Sequence, residues 1–294
     1  MCDEYFYYEK YKNFINYKKF KILFVYIAKN TLKTFILGLG HQKSGTSWFH
    51  TYLKSLSNFN AGITKEYHIW DALDIKFLSR FKINLARNDK HPIRFKMQND
   101  KTFYFEYFNS LFSEKINLTA DITPSYSGLK KERLKIIKDS FLKKEINVKV
   151  IIFIRDPLAR VKSATRFNLD RNNYNEGIKK DETNFVNALK QYYKNEHCIL
   201  RTHYHITLDN AFSVFDEEDI FVGIFEKMFE PNEIIKLSDF LNVNPKINFG
   251  KIRINQTKNK VTRTIIDDDI KNYYCNVYDY CFEKFPATKV LWDY

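Results

Sequence analysis

The chain is 294 residues long, 44% hydrophobic and 28% charged, and its 48 Lys and Arg against 35 Asp and Glu give a formal charge of +13. That apolar content supports a filled core and excludes global disorder, while at about 150 residues per domain the length fits either two domains or one large α/β domain. Four cysteines, Cys2, Cys198, Cys275 and Cys281, exclude a disulfide scaffold and a CxxC zinc ribbon, and a surface this basic suits anionic partners, from nucleotides and phosphates to sulfated glycans, nucleic acid or anionic lipid.

Lysine supplies 37 of the 48 basic residues, beside abundant Asn, Ile, Tyr and Phe. An AT-rich genome produces the same bias, so charge alone does not choose among those partners.

Residues 1–33 are basic and aromatic and contain no turn punctuation. In MCDEYFYYEKYKNFINYKKF the aromatic residues recur near i, i+3 and i+4, which predicts a helical extension packed on the main domain, with a membrane-surface or partner-binding helix as the second reading. The best apolar run, Phe20 to Ala28, falls well short of the ~18 residues of a membrane span and contains Lys21. No small-residue cleavage site follows it, so neither a transmembrane segment nor a secretory signal is expected, and the expected location is cytoplasmic. With no internal repeat and no Pro/Gly/Ser-rich linker, residues 34–294 read as one domain.

That domain opens with TFILGLG (34–40), a nearly continuous apolar run that suits a buried parallel strand. HQKSGTSWFHTYLKSL follows as a loop running into an amphipathic helix. VKVIIFI (148–154) is a second two-sided apolar strand; it ends at Arg-Asp-Pro, and Pro157 suits the first turn of the helix after it. DIFVGIF (219–225) is a third, before the helical pattern EIIKLSDFL. Strands alternating with helices predict an α/β fold, a parallel β-sheet with helices on both faces. Ligands of such sheets sit at the carboxyl ends of the strands, so the loops at 40–47 and 155–163 are two halves of one expected site.

The segment Gly40-His-Gln-Lys-Ser-Gly45-Thr46-Ser47 has the length of a P-loop. Its glycines let the backbone curl so that N–H groups point inward, and the helix starting near Thr46 adds its positive end. Its lysine is displaced, however: Thr46 follows Gly45, and Lys43 comes two positions earlier. No Walker-B aspartate closes VKVIIFI, which ends at Arg155 instead. Such a site handles anion charge with protein cations rather than magnesium. A plain strand-to-helix turn is the alternative reading of this loop.

These stretches resemble a family. LGLGHQKSGTSWF resembles the 5′-phosphosulfate loop of sulfotransferases, where Lys-x-Gly-Thr follows the first strand. VIIFIRDPLARVKSATRF resembles the same family's 3′-phosphate motif, whose serine lies eight residues after its arginine, the spacing of Arg155 and Ser163. TKEYHIWD (64–71) is similar to the Lys/Asn-Glu-x-His-Phe-Phe-Asp segment of the heparan-sulfate, bacterial and Golgi-type branch, and ADITPSYS (120–127) to that branch's Thr-Pro-x-Tyr segment. The closing Leu291-Trp292 resembles the family's frequent terminal tryptophan.

The resemblance implies the sulfotransferase fold and transfer of a sulfuryl group from 3′-phosphoadenosine 5′-phosphosulfate (PAPS) to a hydroxyl or amine, with no metal. Lys43 is then catalytic, beside the bridging oxygen. Backbone and side chains of Ser44, Gly45, Thr46 and Ser47, with Trp48, hold the 5′ end of the donor. Arg155 and Ser163 hold its 3′-phosphate, a group that a guanidinium fork meets with two bonds. Lys258 or Arg263, in INQTKNKVTR, closes over the nucleotide or belongs to a basic surface loop. Glu66 is the implied general base, tuned from an ordinary pKa of about 4.3 by burial or a neighbouring charge. His68 and Asp71 orient that loop; Asp121 acts on the acceptor or on Glu66, Thr123 and Tyr126 are candidates for the acceptor side, and Tyr204 lines the acceptor cleft or simply packs.

The chain departs from the branch at Ile122, where the heparan-sulfate enzymes carry a lysine, which puts a second active-site cation in question. A small-molecule or glycan acceptor is expected, a carbohydrate before others. His197, His203 and His205 make no metal set by spacing. Two other functions stay open: a P-loop kinase of nucleosides or small molecules, which needs magnesium, and a basic anion-binding protein without catalysis. No nucleic-acid recognition motif is visible, so no nucleic-acid partner is expected, and the sequence leaves the oligomeric state open.

Overall fold

The run at 34–40 becomes β1 (Thr34–Gly38), every residue of which is buried. The computed structural model describes residues 32–84, 91–254, 263–292 and Tyr294. The helical extension expected over residues 1–33 lies outside them apart from its last two positions, and Lys258 lies outside them as well.

After β1 come α1 (Thr46–Lys54), β2 (Phe59–Asn60), α2 (Trp70–Asp74), α3 (Pro92–Asn99), α4 (Phe103–Ser110) and β3 (Leu118–Asp121). Then follow α5 (Lys131–Leu142), β4 (Asn147–Ile154), α6 (Pro157–Asp170), α7 (Phe185–Tyr192), α8 (Glu196–Leu200), α9 (Tyr204–Phe212) and β5 (Ile220–Ile224). The C-terminal part is helical: α10 (Pro231–Leu241), α11 (Asp267–Tyr273), α12 (Cys275–Lys284) and α13 (Thr288–Leu291).

The five strands form one parallel sheet in the order β2-β3-β1-β4-β5. Both faces are covered. Phe35, Leu37, Val148, Val150, Ile152 and Ile154 point into one core, where Phe35 stacks on Phe141 of α5 at 4.2 Å. The alternate residues Ile36, Ile151 and Phe153 join Phe49 of α1 and Leu237 of α10 in the other. Two-sided burial is why β1 and β4 read as unbroken apolar runs rather than alternating ones.

Because the sheet is parallel, all five strands deliver their following loops to one edge. The central pair, β1 and β4, puts residues 39–45 beside residues 155–157 there. The ladder continues past β1: His41 donates its backbone N–H to the Phe153 carbonyl at 3.0 Å, and Phe153 donates to the Gly40 carbonyl at 3.1 Å. β2 and β3 went unforeseen in the sequence, being two and four residues long and carrying Asn, Thr and Asp.

Among the described residues no helix is long and apolar enough to cross a membrane, and no group of three or more His, Cys, Asp or Glu is placed to hold a metal ion. Cys198, Cys275 and Cys281 are free thiols, so the last two do not pair.

Candidate active site

The loop after β1 turns through three left-handed positions: Gly40 and Gly45, each at φ 98°, and Lys43 at φ 69°. Alternation of this kind curls successive N–H groups toward one point, an anion-binding concavity. A side chain at Gly40 would strike the Pro124 carbonyl at 2.8 Å. One at Gly45 would strike the Met228 sulfur, and this glycine starts α1. The Ser44 hydroxyl is buried inside the loop with no partner among the described residues. An unpaired buried hydroxyl is costly, and this one is free to donate to a group seated in the loop.

The loop after β4 meets the first one directly. Arg155 donates to the Lys43 carbonyl at 2.8 Å, its guanidinium lies 4.3 Å over the Phe225 ring, and its buried Nε has no partner among the described residues. Asp156 caps α6 by accepting from the Ala159 N–H at 3.1 Å, with Pro157 in the first turn. Ser163, two turns into α6, faces the same space. Lys43, Arg155 and Ser163 therefore line one cleft of about 680 Å³, together with Gly45, Thr46, Ser47 and an edge of Trp48. Most of Trp48 is core, stacked on Tyr52 and held by the Phe249 carbonyl at 3.4 Å.

The Lys43 ammonium sits 4.4 Å over the Phe167 ring. Burial first, then the charges of Arg155 and Arg171, lower its pKa to about 8.

The loop after β2 brings a carboxylate to the same cleft. Glu66 is paired with Lys65 Nζ at 2.8 Å and with His68 Nε2 at 3.5 Å. His68 in turn contacts Asp71 at 2.7 Å through Nδ1 and stacks on Phe81 at 3.9 Å, and the Ser125 hydroxyl donates to Asp71 at 2.5 Å. Burial works to raise the Glu66 pKa, but the bond to His68 and the charge of Lys65 outweigh it and lower it to about 2. For His68 burial works downward; the bonds to Asp71 and Glu66 prevail and push it up to about 9. The sequence led us to expect a carboxylate tuned by burial or a neighbouring charge, and here the neighbouring cations win.

Lys65 closes the circuit. Its ammonium also donates to Thr46 Oγ1 at 3.2 Å and Ser47 Oγ at 3.3 Å, joining the carboxylate to the anion loop. Where Ile122 left a second cation in question, the cleft thus has a lysine on its wall, from the loop after β2. Its signal in the sequence was its place directly before Glu66.

Four residues expected on the acceptor side lie beneath it instead. Asp121 is fully buried; it accepts from the hydroxyls of Thr123 at 2.6 Å, Tyr126 at 2.8 Å and Tyr104 at 3.0 Å. Burial raises its pKa to about 6 against those bonds. Thr123 Oγ1 accepts from the Tyr67 N–H at 3.0 Å, and the Tyr126 hydroxyl accepts from the Ile69 N–H at 3.2 Å. This cluster braces the 66–70 loop from below and has no face on the cleft. Tyr204 is also fully buried, 4.4 Å from the His41 ring under the anion loop. Arg263 is exposed and paired with Asp268 at 3.2 Å, away from the cleft. Arg253, ten residues earlier, lines the cleft instead, with its guanidinium 4.0 Å over the Phe229 ring.

The sequence did not point to six further residues of the cleft: Gln42, Arg80, Asn173, Asn175, Glu176 and Arg201 also line it. Glu176 pairs with Arg201 at 2.8 Å and Arg80 at 3.3 Å. These residues come from four separate chain segments with no shared motif, so only the fold gathers them.

A family model described as a sulfotransferase domain matches residues 33–289. Among solved structures the chain is similar to a sulfotransferase from Alicyclobacillus acidocaldarius, at 15% identity and a TM-score of 0.53, over 83% of this chain and 92% of that one. It is also similar to a mouse sulfotransferase complexed with PAP, at 12% identity and a TM-score of 0.48 over 88% of each chain. A third is a sulfotransferase domain from the Synechococcus PCC 7002 olefin synthase, at 14% identity and a TM-score of 0.44, over 83% of this chain and 94% of that one. The likeness to the Alicyclobacillus protein bears on the fold alone. No curated protein sequence matches the chain.

Proposed function

Since this chain belongs to the sulfotransferase domain family, we propose that its cleft binds PAPS and passes the sulfuryl group to a hydroxyl of a carbohydrate acceptor. The observation that carries this is the junction of two anion-suited loops on one cavity, Arg155 bonded to the Lys43 carbonyl, with unpaired buried donors on both.

In this reading the 39–47 loop holds the 5′-phosphosulfate. Ser44 supplies its hydroxyl, and Thr46 and Ser47 present theirs from the first turn of α1. Arg155 and Ser163 hold the 3′-phosphate. Trp48, Phe225, Phe229 and Arg253 offer flat surfaces for the adenine. Lys43 is near enough to the loop mouth to neutralise charge on the bridging oxygen as the sulfur–oxygen bond breaks, a role for a cation held in place beforehand.

Glu66 takes the acceptor's proton. In the resting cleft it is a weak base, pinned by two cations. A donor phosphate on Thr46 and Ser47 competes for Lys65, which contacts both hydroxyls. Drawing Lys65 toward the phosphate leaves Glu66 with only His68 and raises its basicity when the donor is bound. His68 and Asp71 keep the carboxylate aimed.

The acceptor end carries amides, guanidinium groups and one carboxylate, with Phe81 and Phe167 as its aromatic surfaces. That lining suits the hydroxyls of a sugar better than a phenol or steroid. A kinase reading loses ground because Lys43 is displaced from the Walker position and β4, the neighbour of β1, runs into Arg155 rather than an aspartate, while Asp121 at the end of β3 is buried among three hydroxyls.

Thermal melting with adenosine 3′,5′-bisphosphate tests the donor. Ligand linkage predicts about 2.7 kcal/mol of stabilisation at a hundred times the dissociation constant, and Arg155→Ala diminishes it. No stabilisation at millimolar ligand overturns the reading.

A further inference from the structure

Trp292 was singled out in the sequence but has no part in the cleft, and it lies beyond the residues that the family model matches. It is buried, 4% exposed, with its ring edge-on to Tyr278 at 5.9 Å. Its indole N–H donates to Glu226 Oε2 at 3.0 Å. Glu226 Oε1 accepts from the Asp156 backbone N–H at 3.1 Å, in the turn that carries Arg155. Asp156 itself is held by the Tyr278 hydroxyl at 2.9 Å. A C-terminal tryptophan and a helix-α12 tyrosine thus grip the turn from behind.

Glu226 follows Phe225, on whose ring the Arg155 guanidinium rests, and it is the acidic group that attracts Arg155 most strongly. Among the described residues, nevertheless, Glu226 makes no ion pair. Both of its oxygens are already occupied, one by the Asp156 N–H and the other by the indole. A carboxylate released beside an arginine is a bidentate competitor for any phosphate that arginine is meant to hold.

We propose that Trp292 is a positioning residue for the donor's 3′-phosphate: its indole N–H ties Glu226 to the 155–157 turn, so that Arg155 meets the ligand phosphate and not an internal carboxylate. This rests on the donor reading given above. It predicts an effect centred on the 3′-phosphate, since among the described residues no hydrogen bond, ion pair or ring contact joins Trp292 or Glu226 to the 39–47 loop.

Calorimetric titration with adenosine 3′,5′-bisphosphate and with adenosine 5′-monophosphate separates the possibilities. Trp292→Phe keeps the ring and removes the N–H. It raises the dissociation constant of the bisphosphate about tenfold, or about 1.4 kcal/mol, the scale of a charge-assisted bond diverted to a competitor, and changes that of the monophosphate less than about twofold. Adding Glu226→Gln to that variant removes the competing charge and restores bisphosphate binding. Equal weakening of both ligands by Trp292→Phe, or no recovery in the double variant, overturns the inference while leaving the donor reading in place. If Trp292→Phe does not fold, Glu226→Gln alone decides: unchanged or tighter bisphosphate binding supports the inference, and weaker binding overturns it. A native chain with no preference for the bisphosphate ends the donor reading and the inference together.

Discussion

Replacing Asp71 with Asn perturbs the proton wiring behind Glu66 at its buried end. Asp71 is fully buried and lies 2.7 Å from His68 Nδ1. Burial disfavours the imidazolium, yet the bonds to Asp71 and Glu66 overcome it and carry His68 from 6.5 to about 9. A rise of that size is worth about 3 kcal/mol of stability. Because the pKa is raised on folding, this contribution is fully present below pH 6.5 and fades as the pH climbs through about 9. Asp71 heads the interactions that raise it, so Asp71→Asn forfeits the larger share, about 2 kcal/mol. A pH-independent loss comes on top, because Asn meets the Ser125 hydroxyl and Ala72 N–H with less charge. Urea unfolding of both chains at about pH 6 and about pH 10 isolates the first part. The deficit of the variant shrinks by about 2 kcal/mol at the higher pH. A deficit of the same size at both pH values, or a wild-type His68 that titrates below 7 by NMR, refutes the reasoning.

Lys43, lowered to about 8 by burial and by Arg155 and Arg171, loses its proton as the pH rises through that value; kcat/KM accordingly falls on an alkaline limb near 8, and Lys43→Arg moves the limb upward. Gly45→Ala forces a side chain onto φ 98° and into the Met228 sulfur; it destabilises the chain by more than about 1 kcal/mol in urea unfolding and weakens bisphosphate binding. Arg201→Met strips Glu176, 3% exposed, of its closest partner and leaves Arg80 at 3.3 Å; it costs about 3 kcal/mol and lowers the melting temperature, more so above the carboxylate range than at low pH, where Glu176 is neutral.

The sheet was readable where burial on both sides wrote it into the chain. β1, β4 and β5 are apolar runs, and their loops carry the glycines, Lys43 and Arg155. β2 and β3 are too short and too polar to stand out; β3 exists because β1 offers it an edge, and β2 because β3 offers the next one. The same division holds at the site. Lys43, Glu66 and Arg155 lie in contiguous segments whose spacing carries information. Lys65 was adjacent to Glu66, but nothing in the order of residues says that its ammonium turns back to Thr46 and Ser47. Asp121 and Tyr126 stood in the right segment with the wrong role, because a sequence does not distinguish a wall from the brace beneath it. The Arg80–Glu176–Arg201 group spans more than a hundred residues and is assembled only by the fold.

The most direct measurement is transfer of labelled sulfur from PAPS to a panel of glycans, phenols, amines and lipids, run in EDTA. We expect labelled glycan with the native chain, none with Lys43→Ala or Glu66→Gln, and undiminished bisphosphate binding by the Glu66→Gln chain. Transfer that survives loss of either Lys43 or Glu66, or that stops when EDTA is added, contradicts a cleft working through its own cations and carboxylate.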